Sequence, residues 1–400
     1  MDLRRPVLFA GVLPLLSFLW SAPGAGAADP PENPYASWRN GPASKGILFP
    51  LAVWLQSPRL AKAYRKAGIN LYVGLWKGPT EKQLARLEKA GMPVMCAQNR
   101  VGLTSPHRGI IVGWTQQGEP DNARSRGRGK GYGPPVPPSE IRARYEEMVR
   151  RDPTRPVYLG LGQGVAWDGW VGRGVRSRHP EDYPLYIRGC DIVSFDIYPV
   201  ASTRKAVAGK LWYVARGVER LVKWSGGKKI VWNCVEAARI GNTKRKVTPW
   251  ELRAEVWMSI IRGSRGIVYF VHQFKPRFDE HALLDDPPLL RAVTALNRRI
   301  TELAPVIVAP ASKKGVKAEV PGKGFPPALT ARKRDGALWI FAVAMRNEPV
   351  KVRFRIDLPG FRPGARVEVL DEGRSLPLKQ GVFTDAFRGY QVHLYRIGPR

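Results

Sequence analysis

The chain is poor in the residues that staple or metallate a fold. Only Cys96, Cys190 and Cys234 occur in 400 residues. An odd number of cysteines, each inside an apolar run, argues against a disulfide framework and for buried free thiols. There is no C-x-x-C pair, and His107, His179, His272, His281 and His393 are scattered along the chain, so no metal and no cofactor is expected. Phosphate-cradling loops are missing too. GLGQG at residues 160–164 follows a strand-like run, but Val165 comes next and no G-x-G-x-x-G is completed. With no recognition helix or RNA-binding signature, no nucleic-acid partner is expected. Acidic residues are scarce, 33 against 65 basic ones, which leaves a net charge of +32. That excess favours polyanions such as acidic glycans or anionic cell surfaces. An Arg-rich, solvated surface would give the same count.

Long apolar runs are confined to the N-terminus. Arg4 and Arg5 precede an apolar stretch over residues 7–20, and a small-residue segment over 21–28 contains Ala25-Gly26-Ala27. This is the pattern of a signal peptide over residues 1–28, with an A-x-A cleavage site. The stretch is short for a membrane span and carries Pro14. The expectation is therefore a secreted or periplasmic protein with no membrane span after cleavage. No cysteine follows the stretch to accept a lipid.

The rest of the chain alternates. With 44% hydrophobic and 10% aromatic residues it reads as globular. Strand-like runs fall at residues 48–55, 69–76, 93–99, 110–122, 156–161, 191–200, 229–237 and 266–274. Helical segments lie between them, at 57–66, 80–90, 139–150, 205–223 and 249–262, with short ones near 100 and 180–187 and a last one at 288–303. Thr80 and Thr248 are expected N-caps and Gly91 a helix stop. Eight apolar strands alternating with helices over residues 44–305 predict an α/β fold, a (β/α)8 TIM barrel. Residues 311–400 change character: short strands at 338–343, 350–356, 367–370, 382–384 and 391–396, no helix signal, and alternation in KVRFRI predict an antiparallel β-sandwich domain.

Two of the barrel strands end on a glutamate. Residues 110–122, IIVGWTQQGEPDN, lead from an apolar run to Glu119, and residues 229–237, KIVWNCVEA, lead to Glu236. These are strands four and seven, whose C-terminal ends face each other across a barrel mouth. Two carboxylates about 5–5.5 Å apart there are what retaining glycoside hydrolysis needs, one protonated to serve the leaving oxygen and one ionised to attack the anomeric carbon.

On GWTQQGEPDN and IVWNCVEA the chain resembles the retaining (β/α)8 glycoside hydrolases of clan GH-A over roughly residues 46–305. That resemblance implies Glu119 as acid/base and Glu236 as nucleophile. FDIYP at 195–199 resembles the clan's strand-six segment and implies that Tyr198 hydrogen-bonds the nucleophile. One position departs: Gly118 stands where the clan places Asn, so a sugar hydroxyl contact falls to Gln116 or Gln117. Strand eight ends near Tyr269, Phe270 and His272 where the clan usually has Trp.

Strand ends supply further substrate-binding candidates: Trp54, Trp76, Asn99, Arg100, Gln163, Asp196, Tyr198, Asn233, Tyr269 and His272. Each has a structural reading beside the binding one; most of the 13 Trp are expected in the core. Basic residues crowd the loops after strands four (Arg124, Arg126, Arg128, Lys130), five (Arg173, Arg176, Arg178) and seven (Arg239, Lys244, Arg245, Lys246). They suggest an acidic carbohydrate substrate. The reading is an exported glycosidase; the alternative is a non-catalytic glycan- or polyanion-binding barrel.

Overall fold

Parallel strands need crossover connections, and here the intervening helices provide them. The computed structural model describes residues 32–312, 315–322, 324–357 and 365–398. The expected signal peptide lies outside the described residues. β1 (Leu51–Trp54), β2 (Leu71–Val73), β3 (Val94–Cys96), β4 (Ile111–Thr115), β5 (Val157–Leu161) and β6 (Ile192–Phe195) follow one another round the sheet. β7 (Ile230–Val231) and β8 (Asn233–Glu236) are two halves of the seventh stave, interrupted at Trp232. β7 pairs with β6, β8 pairs with β9 (Ile267–Phe270), and β9 pairs with β1, so the barrel closes with all pairs parallel.

Strand alternation sorts side chains into two layers. Ala52, Val73, Met95, Val112, Tyr158, Ile192, Trp232 and Val268 fill the barrel axis. Tyr35 joins them, accepting from the Trp232 indole at 2.8 Å and donating to the Arg265 carbonyl at 2.7 Å. Gly113 is small because Met95 occupies the axis beside it: a Cβ there would sit 2.8 Å from the Met95 side chain. Alternate residues such as Val53, Val193, Phe195, Val235 and Tyr269 face the helices. Cys96, Cys190 and Cys234 are buried and free.

The helices are α1 (Ala61–Lys66), α2 (Glu81–Ala90), α3 (Arg100–Thr104), α4 (Pro138–Arg151), α5 (Tyr183–Tyr186), α6 (Trp212–Trp224), α7 (Pro249–Ile261) and α8 (Pro287–Val308). Thr80 and Thr248 close capping boxes with Gln83 and Glu251, and Gly91 ends α2 at φ +61°. The expected helix over 205–223 begins later, at Trp212, because Gly209 adopts φ +73° and donates to the Pro199 carbonyl instead. No helix among the described residues is long and apolar enough to cross a membrane.

The C-terminal strands form two antiparallel sheets. β10 (Val316–Glu319), β13 (Val350–Ile356) and β16 (Val382–Phe387) make one; β11 (Ala328–Arg334), β12 (Ala337–Val343), β17 (Val392–Ile397), β14 (Arg366–Val369) and β15 (Arg374–Pro377) make the other. The three strands the sequence pattern misses, β10, β11 and β15, are all edge strands. Their charged, weakly alternating residues suit an edge that must not recruit other chains.

The sandwich rests on the barrel's outer layer. Phe341, Val343, Val392 and Leu394 belong to the same apolar cluster as the α7 and α8 residues. Trp257 of α7 meets Phe341 at a ring separation of 5.1 Å, and Tyr390 donates to the Gly209 carbonyl at 2.6 Å. Trp257→Ala should therefore cost about 3–5 kcal/mol of stability. Because the two cores are continuous there, denaturation followed by calorimetry should stay a single transition in the variant; two separated transitions would contradict it.

Candidate active site

The C-terminal ends of the strands open into a cleft of about 520 Å³. Trp54, Glu119, Asn122, Gln163, Trp170, Asp196, Tyr198 and Phe270 line it. A second cavity of about 750 Å³ adjoins it through Trp54, Phe270 and Phe274, and continues past Gln56, Trp76, His272 and Phe278 to Glu280. The largest cavity, about 900 Å³, lies elsewhere, between α7, α8 and the sandwich. It gathers ion-paired residues such as Arg299 and Asp371 and no strand-end carboxylate.

Glu119 enters the cleft on a left-handed backbone, φ +45°, an uncommon conformation for a residue with a side chain. Its N–H donates to the Gly160 carbonyl at 2.8 Å, which pins the turn to β5. The carboxylate accepts from the Asn122 amide at 2.8 Å, and the Asn122 oxygen in turn accepts from the Trp170 indole at 2.8 Å. Asn122 thus holds the Glu119 carboxylate in place, with both ends of its own amide committed. Gln116 is committed to the Ile141 and Gly189 carbonyls and Gln117 accepts from Arg144, so neither serves the cleft.

The carboxyl facing Glu119 is Asp196. It shares strand parity with Ser194, both on the cleft side of β6. Burial, and next the Glu119 charge, hold Asp196 well above the usual carboxylate range, so the pair resists a second ionisation. Burial and the Asp196 charge likewise push the Tyr198 phenol up, and its ring lies 5.2 Å from Phe270.

Glu236 takes a different place from the one expected. It is fully buried and lies outside the cleft lining. At the strand end its side chain turns into the barrel wall, where its two oxygens accept from the Val200 and Ala201 amides, each at 2.6 Å. Behind it stands Glu255 of α7, also fully buried and near enough for each carboxyl's charge to act on the other. Burial raises the Glu236 carboxyl to about 7, and burial with the Glu236 charge raises Glu255 well above its ordinary value. Glu236 is therefore a brace on the loop that follows Asp196 and Tyr198.

Trp54, Gln163, Asp196 and Tyr198 line the first cavity and Trp54, Trp76 and His272 the second, while four other candidates lie away from both. Asn99 caps α3, accepting from the Gly102 amide at 2.8 Å. Arg100 begins that helix, exposed. Asn233 faces α7 and donates to Ser259 at 2.9 Å; Tyr269 faces α8 and donates to Asn297 at 2.7 Å. Both have the outward parity of their strands. Asn122, Trp170, Phe274 and Phe278 were not foreseen; they lie in loops, where no periodicity marks a side chain's direction. The loop after β9 also gathers Asp279, His281 and Asp285, with ligand-type atoms within 4.8 Å of one another; ion pairing of His281 with both aspartates accounts for the cluster.

No protein-family model matches the chain, and no curated protein matches it. Solved structures do share its fold. An alpha-amylase from Geobacillus thermoleovorans, complexed with acarbose, aligns over 91% of this chain and 99% of its own, at 10% identity and a TM-score of 0.52. An Anoxybacillus alpha-amylase aligns over 86% and 90%, at 10% identity and TM-score 0.48. A GH30 endoxylanase from Clostridium papyrosolvens aligns over 88% and 96%, at 11% identity and TM-score 0.43. At such identities the likeness is one of fold alone.

The buried glutamates have a measurable consequence. Both hold protons more tightly in the folded chain than in the unfolded one. Their contribution to stability is thus fully present below an unfolded glutamate's value near 4.5 and is lost as pH rises, for Glu236 through about 7. Asp121, raised by burial to about 6, acts in the same direction. Glu255→Gln removes one titrating carboxyl and keeps a donor for Glu236. Melting temperatures across this range should fall less steeply in the variant; an identical slope would refute the pairing.

Proposed function

We propose that the chain is a glycoside hydrolase whose acid/base unit is the Glu119–Asp196 pair. The observation that carries the reading is a pair of carboxyls, Glu119 and Asp196, at strand ends in an aromatic-lined cleft. At neutral pH the pair holds one proton, because burial and mutual charge oppose a second ionisation. Glu119, the exposed member, presents the proton to the glycosidic oxygen. The C–O bond breaks with its electrons going to that oxygen, and donation leaves the pair with two negative charges, which the positive charge growing on the sugar ring beside it stabilises. Water then adds to the anomeric carbon and returns a proton to the pair. Asn122 orients Glu119, and Trp54, Trp170 and Phe270 offer faces to the sugar. Glu236 is assigned to bracing the Asp196–Ala201 segment and not to nucleophilic attack.

Glu119→Gln and Asp196→Asn should each lower kcat on an activated aryl glycoside by about 10²–10⁴-fold, the range for loss of general acid–base catalysis. A panel of aryl glycosides identifies the turned-over sugar, and its 2-fluoro analogue then tests Glu236. Covalent labelling of Glu236, read by peptide mass spectrometry, would restore it as a nucleophile and sink the brace assignment. Glycan binding without turnover in the parent chain would leave a binding barrel.

The substrate we infer is acidic. Arg173 and Arg176 are spent on Asp182, Arg245 on Glu251 and Lys246 on Asp286. Arg126, Arg128 and Lys130 after β4, Arg204 and Lys205 after β6, and Lys244 after β8 are exposed and take part in no ion pair among the described residues. Such a one-signed rim steers anions. KM for a carboxylated or sulfated glycan should rise with salt, as screening predicts; faster, salt-independent turnover of neutral glycans would count against it.

A further inference from the structure

We propose that the second cavity holds the continuation of a glycan chain, so that the protein engages several consecutive sugar units and not a lone terminal one. This deepens the hydrolase reading and rests on it for the position of the reacting sugar. The rings form a continuous path out of the cleft. Tyr198 meets Phe270 at 5.2 Å, Phe270 meets Phe274 at 6.2 Å, and Phe274 meets Phe278 at 6.1 Å. His272 fills the inner side of this path, 6.3 Å from Phe278.

Three of the aromatic residues around this cavity are left open to solvent. Trp76 is 68% exposed, Phe278 65% and Phe274 52%, in a chain that buries most of its large apolar side chains. A contiguous exposed aromatic patch in a groove marks a binding surface. Its polar lining suits hydroxyl groups through Glu280, whose carboxylate takes part in no ion pair among the described residues. Gln56 is held by Tyr64, His272 and the Glu280 carbonyl, and Gln83 by Thr80 and the Trp76 carbonyl, so this wall is preorganised. Flat apolar faces beside a carboxylate fit a sugar ring, which has an apolar face and an equatorial belt of hydroxyls. A lipid or an apolar protein surface would leave Glu280 desolvated against it, at a cost. Continuity settles the direction of the chain: the second cavity shares Trp54, Phe270 and Phe274 with the carboxyl-bearing one.

The test uses the full chain carrying Glu119→Gln, so that binding is read without turnover. Calorimetric titration with cello-, chito- and galacturonan-oligosaccharide ladders, from monomer to hexamer, should show affinity rising with length in at least one series. Trp76→Ala and Phe278→Ala, both at exposed positions, should each cost about three- to tenfold for the longer ligands and little for the monomer, the worth of one lost aromatic contact. Affinity independent of length overturns the proposal, as does a loss that is equal for monomer and hexamer, or failure of all three ladders to bind. Length-dependent binding alongside a parent chain inactive on every glycan would sink the hydrolase reading and leave the groove. Turnover with length-independent binding would do the reverse.

Discussion

Two carboxyls pressed together resist both being charged, and this barrel places two such pairs, one at the cleft and one in the wall. In the cleft, Asp196 lies against Glu119; in the wall, Glu236 lies against Glu255. A buried pair of like charges relaxes by keeping a proton, and the shared proton is also what makes the contact attractive. The two pairs differ in access. Glu119 is exposed to the cleft, whereas Glu236 and Glu255 have no exposed surface.

The pairs are joined through one short segment. Asp196 and Tyr198 belong to the loop whose next residues, Val200 and Ala201, donate to Glu236. Glu236 ends β8, and Glu255 sits on the helix that follows it. The position of the cleft carboxyl therefore depends on a hydrogen-bonded contact between the sixth and seventh staves. A neutral carboxyl in the wall would keep an acceptor for one amide and weaken the other bond, while a charged one accepts both strongly. Burial pulls against that by favouring the neutral form of both Glu236 and Glu255.

Much of this was legible in the sequence because it rests on periodicity. Eight apolar runs gave the barrel, two threonines gave the caps of α2 and α7, and the apolar run ending in EPDN placed Glu119 on the open face. What was lost was direction. Asn233 and Tyr269 lie in the right strands and have outward parity; both could have been sorted by counting from Trp232 and Val268, which fill the axis. Glu236 has inward parity, and parity misleads there because the strand ends and the side chain is free to turn toward two unpaired amides. Asp196 was named only as a binding candidate, since nothing in FDIYP says that Glu119 will lie against it. Nor does the sequence say that Asn122, after a turn through left-handed Glu119, will bond back to the Glu119 carboxylate.

That left-handed turn links backbone conformation to chemistry. A non-glycine residue at φ +45° costs conformational energy, and the cost is met by the bond from its N–H to the Gly160 carbonyl. Asp121, two residues on, accepts from the Gly162 amide at 2.9 Å and from the Tyr183 hydroxyl at 3.1 Å. Glu119 is thus clamped on both sides to the loop after β5, and its side chain has one direction left, toward Asp196. An ordinary extended backbone at position 119 would place successive side chains on opposite faces and could not keep both Glu119 in the cleft and Asp121 in the wall beneath it. Strain at a single residue is what separates the carboxyl that can release a proton from the carboxyl that holds the loop.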